Sequence, residues 1–206
     1  MKSFIEINKP VLLYLFLPAL VSFGTLPINR AGTGHKKVSL QPAVKTPVTK
    51  WNADPSKARI TFKVGGPFGT VDGSLSGLQS TILFDKNNLS ASAIRASVSV
   101  KTISTGIGLR NRDIQKEKYL DSDNHPLMSF DSKNIQQTPT GYTAIGNLTI
   151  KDVTRSVAIP FTFTENGNTG VFKGGFAIQR QDYHIGKAGG SIGNTVTISL
   201  EVPVTK

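Results

Sequence analysis

The chain has 206 residues and no cysteine, which excludes disulfides, thiolate metal sites, thiol nucleophiles and a lipid-modified N-terminal cysteine. Its length suits one domain with tails. The 24 Lys and Arg against 13 Asp and Glu give a net charge of +11, a balance that suits nucleic acid only if the excess belongs to a folded surface. Residues 25–50 hold Arg30, Lys36, Lys37, Lys45 and Lys50 with no acid, so nearly half of the excess sits there.

In chain order, Lys2 and Lys9 precede the apolar run Val11–Phe23, which contains Pro18 and is shorter than the ~20 residues of a spanning helix. With the small residues Ser22 and Gly24 before Thr25, residues 1–24 read as a signal peptide, and the mature protein is expected to be periplasmic or otherwise secreted. Residues 25–50, rich in Pro, Thr, Gly and Lys, read as a basic disordered linker suited to weak contact with an anionic membrane surface.

From Ala58 onward apolar residues recur with a period of two, as in half-buried strands. Ile60, Phe62 and Val64 alternate with Arg59, Thr61 and Lys63, and Ile94, Ala96, Val98 and Val100 with Arg95, Ser97, Ser99 and Lys101. The pattern returns at Tyr142, Ala144, Leu148 and Ile150; at Val157, Ile159, Phe161 and Phe163; at Phe172, Phe176 and Ile178; and from Val196 to Val204. Shorter strands are expected over 70–76, 80–86 and 127–136. Turn chemistry at Gly65-Gly66-Pro67, Asp85-Lys86-Asn87-Asn88, Pro139-Thr140-Gly141, Glu165-Asn166-Gly167-Asn168 and Ala188-Gly189-Gly190 favours hairpins, and only residues 108–120 read as a helix. Eight or nine antiparallel strands with one apolar face close into a barrel or split into a sandwich, and periodicity alone allows both.

Chemistry is sparse. Gly189-Gly190-Ser191-Ile192-Gly193 matches the G-x-S-x-G nucleophile elbow in letters, but a strand follows where that elbow needs a helix. Replacing Ser191 with Ala is therefore expected to leave binding unchanged, and a loss of esterase activity in that variant would restore the catalytic reading. His35, His125 and His184 are too scattered for a metal site, no catalytic group assembles, and no cofactor is expected. Asn88-Leu-Ser and Asn147-Leu-Thr match glycosylation sequons, a frequent coincidence in β-rich chains. Arg110, Arg112, Asp113, Lys116 and Lys118 on the helix, and Arg180, Asp182 and Lys187 before the last hairpin, read as exposed charges worth ~1 kcal/mol or less per pair, or as partners for an anionic headgroup.

Several stretches together resemble the YceI-like, polyisoprenoid-binding family: Arg112-Asp113 with Tyr119-Leu120-Asp121, His125-Pro126-Leu127-Met128-Ser129-Phe130, Gly146 to Arg155 (GNLTIKDVTR), and Arg180 to Gly186 (RQDYHIG). The likeness spans nearly all of residues 54–204. It implies an all-β, antiparallel lipocalin-like barrel of about eight strands with one short helix, over residues 51–206, holding an isoprenoid chain in an apolar lumen. It implies no enzymatic reaction. On that basis Phe62, Ile94, Val98, Phe130, Leu148, Phe161, Phe163 and Phe176 are expected to line the ligand, with Arg112 and Arg180 at a polar head. The expected partner is an isoprenoid lipid or quinone and not nucleic acid; monomer and homodimer are equally compatible with the sequence. Two other readings stand beside this one: an eight-stranded outer-membrane barrel with its apolar face turned to lipid, and a basic module binding anionic envelope polymers.

Overall fold

A computed structural model describes residues 47–206. The expected signal peptide, and the linker up to residue 46, lie outside the described residues. Ten hydrogen-bonded segments form one antiparallel sheet: β1 (Lys50–Ala53), β2 (Arg59–Gly66), β3 (Gly69–Leu75), β4 (Gln79–Leu83), β5 (Ala93–Ser99), β6 (Leu127–Thr138), β7 (Gly141–Ile150), β8 (Val153–Asn166), β9 (Thr169–Gln179) and β10 (Thr195–Thr205). Lys50, counted in the linker from sequence, is the first residue of β1 and pairs with Leu83.

The ten segments make an eight-stranded closed barrel because two of its strands are each broken once. β10 pairs with β9 along its whole length, and its other edge pairs with β2 near its start and β1 near its end. β3 and β4 continue one another in the same way, β3 against β2 and β4 against β1. The break between β1 and β2 is a turn in which the Asp54 carboxylate accepts from the backbone N–H and hydroxyl of Ser56 and pairs with Lys57 at 2.9 Å. Every strand of the ring is paired on both sides over part of its length, which closes the barrel.

Side chains alternate inward and outward as the periodicity requires. Rows run across the wall, such as Phe62, Ile198 and Phe176, or Val71, Val64 and Val196. Outward positions are mostly polar, with ion pairs Lys63–Asp72, Arg95–Asp131 and Lys173–Glu201 on the exterior. An outer-membrane barrel presents an apolar band to lipid, so this polar outer wall overturns that alternative. In β6 a bulge between Ser132 and Asn134 reverses the phase, bringing Ile135 inward at 3% exposure. Gly146 lies opposite, where a Cβ would strike the backbone of Asp131 and Ser132.

One end of the barrel is filled. Trp51, Phe84, Tyr142, Phe161, Phe163 and Phe172 stack or meet edge to face with centroids 4.3–5.8 Å apart, and the Trp51 indole N–H donates to the Phe84 carbonyl at 3.0 Å. The connection of residues 84–92 after β4, the short turns after β6 and β8, and the start of β1 lie at this end. The β2–β3 turn, the long β5–β6 connection, the β7–β8 turn and the β9–β10 loop lie at the other.

The β5–β6 connection carries helix α1 (Gly108–Ile114), shorter than the expected 108–120. After Ile114 the chain folds back: the Leu120 N–H donates to the Ile114 carbonyl, Asp121 takes a φ of 51°, and Leu120 is buried at 5% exposure. Burying Leu120 favours this compact turn over a further helical turn. Phe84 is 1% exposed and touches four other rings, so Phe84→Ala is expected to cost about 3–5 kcal/mol in urea unfolding.

Candidate functional site: an apolar lumen with a built mouth

Above the aromatic plug the barrel is hollow. A cavity of about 740 Å³ runs from Leu78, Ile82 and Phe172 up to Val64, Pro67 and Ile192. Such a volume lies within the ~300–1,000 Å³ range of sites that take up small apolar ligands. The lumen is open toward the end that carries α1. Along β10 it covers Val196 to Val202, a strand path of roughly 20 Å at ~3.3 Å per residue.

Of the residues expected to line a ligand, Phe62, Ile94, Val98, Phe130, Leu148, Phe161 and Phe176 do line the lumen. Phe163 does not: it stacks on Phe172 at 4.3 Å and meets Trp51 at 4.9 Å within the plug. The alternation that places it inward says nothing of its height in the barrel. Sequence reasoning left out Val64, Met128, Ile159, Ile178, Ile198 and Leu200, which share the same inward phase and were legible by the same rule. Ile103, Ile114 and Tyr119 reach the lumen from the β5–β6 connection, outside any strand periodicity. Opposite Phe62, the absence of a side chain at Gly73 makes room for its ring, which lies where a Cβ would stand.

The two arginines part company. Arg112 is exposed and does not line the lumen, whereas Arg110, Asp113 and Ile114, spaced as neighbours on one helical face, all do. The inward cation of α1 is therefore Arg110. Asp113 receives Lys118 at 2.9 Å and Lys116 at 3.2 Å, contacts that hold its carboxyl below the ordinary carboxylate range.

Arg180 is 4% exposed and makes no ion pair among the described residues. Its guanidinium instead donates to four backbone carbonyls, from Nε to Gly193 (2.9 Å), from Nη1 to Ile185 (2.6 Å), and from Nη2 to Lys187 (3.1 Å) and Ile192 (2.9 Å). Four of the five N–H groups are thus spent on the β9–β10 loop. The expectation of an exposed strand-end ion pair fails here because the loop wraps the guanidinium, while Arg180 still lines the lumen with one Nη1 N–H uncommitted.

The loop so held organises the rest of the mouth. The Gly193 N–H donates to Gly65 in β2 at 2.8 Å, and the Gly186 N–H to Lys118 beyond α1 at 3.0 Å. Lys151, in the β7–β8 turn with φ 54°, donates to the carbonyls of Glu117 (3.1 Å) and His184 (3.5 Å). His184 itself is left-handed, with φ 54°.

The wall beneath this loop is incomplete. β8 pairs with β9 only from Phe161 onward, since the preceding Pro160 has no N–H to continue the ladder. Tyr183, 2% exposed, packs with Leu148, Ile150, Val157 and Ile178 beside that gap, and burial pushes its phenol above its usual value.

Ser191 lies in the clamped loop and leads into β10 of an antiparallel sheet, which is not the setting of a nucleophile elbow. No group of three His, Asp or Glu among the described residues has a metal-binding arrangement.

A family model described as the YceI-like domain matches residues 51–204. UPF0312 proteins of Yersinia enterocolitica and Yersinia pestis are each 26% identical over 136 residues, covering 63% of this chain and 71% of theirs. Among solved structures, Burkholderia cenocepacia BcnA superposes with a TM-score of 0.72 at 21% identity, covering 75% of this chain and 100% of its own. A polyisoprenoid binding domain from Saccharophagus degradans gives 0.59 at 12%, covering 77% and 98%. At these identities the superpositions establish the fold.

Replacing Arg180 with Ala strands four carbonyls and is expected to cost about 3 kcal/mol, with the loss of amide-exchange protection confined to residues 185–194. Arg180→Lys is expected to recover little of it, because an ammonium cannot span the same fork of acceptors.

Proposed function

We propose, from the premise that the chain belongs to the YceI-like family, that it binds an isoprenoid lipid, a quinone or a prenyl chain, along the lumen and carries or sequesters it without chemical change. The observation that carries this reading is the lumen itself: about 740 Å³, walled by aliphatic and aromatic side chains, plugged at one end and open at the other. The polyisoprenoid binding of the Saccharophagus degradans neighbour supports the class of ligand.

The energetics need no special group. A buried methylene contributes ~0.8 kcal/mol, so ten of them give ~8 kcal/mol gross, near micromolar affinity before the cost of association. The apolar tail therefore supplies affinity, while the polar atoms at the mouth set orientation. Arg110 and the one uncommitted N–H on Arg180 Nη1 are the donors that would meet a ligand's polar head there. The signal-peptide pattern of residues 1–24 supports action outside the cytoplasm, in the periplasm or beyond it.

Solvent extraction of the purified protein followed by mass spectrometry is expected to release an isoprenoid lipid. Finding none, together with no uptake of added quinone, would overturn the proposal. Ala96 lines the lumen between Ser80 and Phe130, so Ala96→Phe takes up lumen volume and ligand uptake is expected to fall about tenfold, with the variant's urea unfolding checking that the fold is kept.

A further inference from the structure

The two ends of the barrel differ in what they show to solvent. Large apolar side chains are exposed at four places among the described residues: Phe68 at 102%, Leu109 at 72%, Leu127 at 53% and Ile107 at 48%. All four belong to the mouth end. Phe68 is the tip of the β2–β3 turn, Ile107 and Leu109 open α1, and Leu127 starts β6. The plugged end shows the opposite chemistry, its turns being Asp85-Lys86-Asn87-Asn88, Pro139-Thr140 and Asn166-Gly167-Asn168. Exposed apolar tips scattered over a surface need no explanation; four gathered around the opening of an apolar cavity do.

The charges narrow the partner. Arg112 on α1 and Lys187 in the β9–β10 loop do not line the lumen and make no ion pair among the described residues. Cations ringing apolar tips fit the boundary between headgroups and acyl chains of an anionic bilayer, where the tips enter the hydrocarbon edge and the cations meet phosphate. We infer that the mouth end docks on an anionic membrane surface, with Phe68 and the start of α1 inserted, so that the lumen opens toward the lipid phase. This inference rests on the lipid-carrier reading: a ligand that is insoluble in water needs a path that avoids it.

The test uses the full chain and vesicles of phosphatidylglycerol and phosphatidylethanolamine, with phosphatidylcholine vesicles as control. Phe68→Trp is expected to shift its emission to the blue and to be quenched by lipids brominated on the acyl chains, on anionic vesicles and less at high salt. The unsubstituted protein supplies the background from Trp51, which is 2% exposed in the plug.

The double variant Ile107→Ser/Leu109→Ser alters residues that do not line the lumen and is expected to partition onto vesicles about tenfold less while retaining its extractable lipid. Sedimentation with vesicles but no quenching at position 68 overturns the inference, since binding then runs through another part of the chain. So does a homodimer in solution that the double variant dissociates, because a second copy then covers the tips. If position 68 inserts but extraction yields no lipid, the carrier reading falls and the docking stands. If lipid is extracted and position 68 stays in water, the reverse holds.

Discussion

Closure of the sheet on both edges of β10 is the constraint from which the rest follows. A strand zipped to β9 on one side and to β1 and β2 on the other forces every inward side chain to share a single enclosed space. What fills that space is then a matter of where the bulk lies. Six aromatic rings gather at the end where β1, β4 and β8 meet, and they solidify it. Toward the mouth the inward residues are mostly aliphatic, with Phe62 opposite Gly73 and Phe130 opposite Ala96, and eight strands are wide enough that such side chains do not fill the axis. The barrel is thus filled at one end and hollow toward the other, with a second buried cluster of Val100, Ile103, Leu120, Ile150, Ile178 and Tyr183 beside the mouth.

The container depends on a second device. An antiparallel barrel leaves its connections free to wander over the opening, and a buried guanidinium prevents that. Arg180 gathers carbonyls from Ile185, Lys187, Ile192 and Gly193, and the ordered loop then reaches β2 through Gly65 and the post-helical turn through Lys118. A buried charge is expensive unless its hydrogen bonds are satisfied, and backbone carbonyls satisfy it without a carboxylate. The same residue that looked like a ligand for an anion is chiefly a structural clamp. It sits at the wall of the lumen.

The distribution of polarity is consistent with the proposed lipid-binding reading. The outer wall is charged and paired, and the inner wall is apolar. The mouth combines exposed apolar tips with cations that make no ion pair among the described residues. In the proposed reading, such an arrangement would give affinity through buried area and direction through a few polar atoms.

Much of this was legible in the sequence because a period of two is a local property. The inward phases of β2, β5, β7 and β10 follow from Phe62, Val98, Leu148 and Ile198 without any tertiary information. Seven of the eight apolar positions expected at the ligand do line the lumen, and the short helix fell in the right connection. Other features depend on distance through space. Phe163 has the right phase but the wrong height, since only the register with Phe172 and the stacking on Trp51 put it in the plug. Helical spacing groups Arg110 with Asp113 and Ile114, yet only the docking of α1 across the opening decides that this face, and not that of Arg112, turns inward. Arg180 was visible as a charge and invisible as a clamp, because its acceptors are backbone atoms that no side-chain pattern records. The sequence by itself determined an antiparallel, one-faced β chain. That the face encloses a hollow rather than a filled core was decided by closure and by the uneven placement of aromatic volume along the barrel axis.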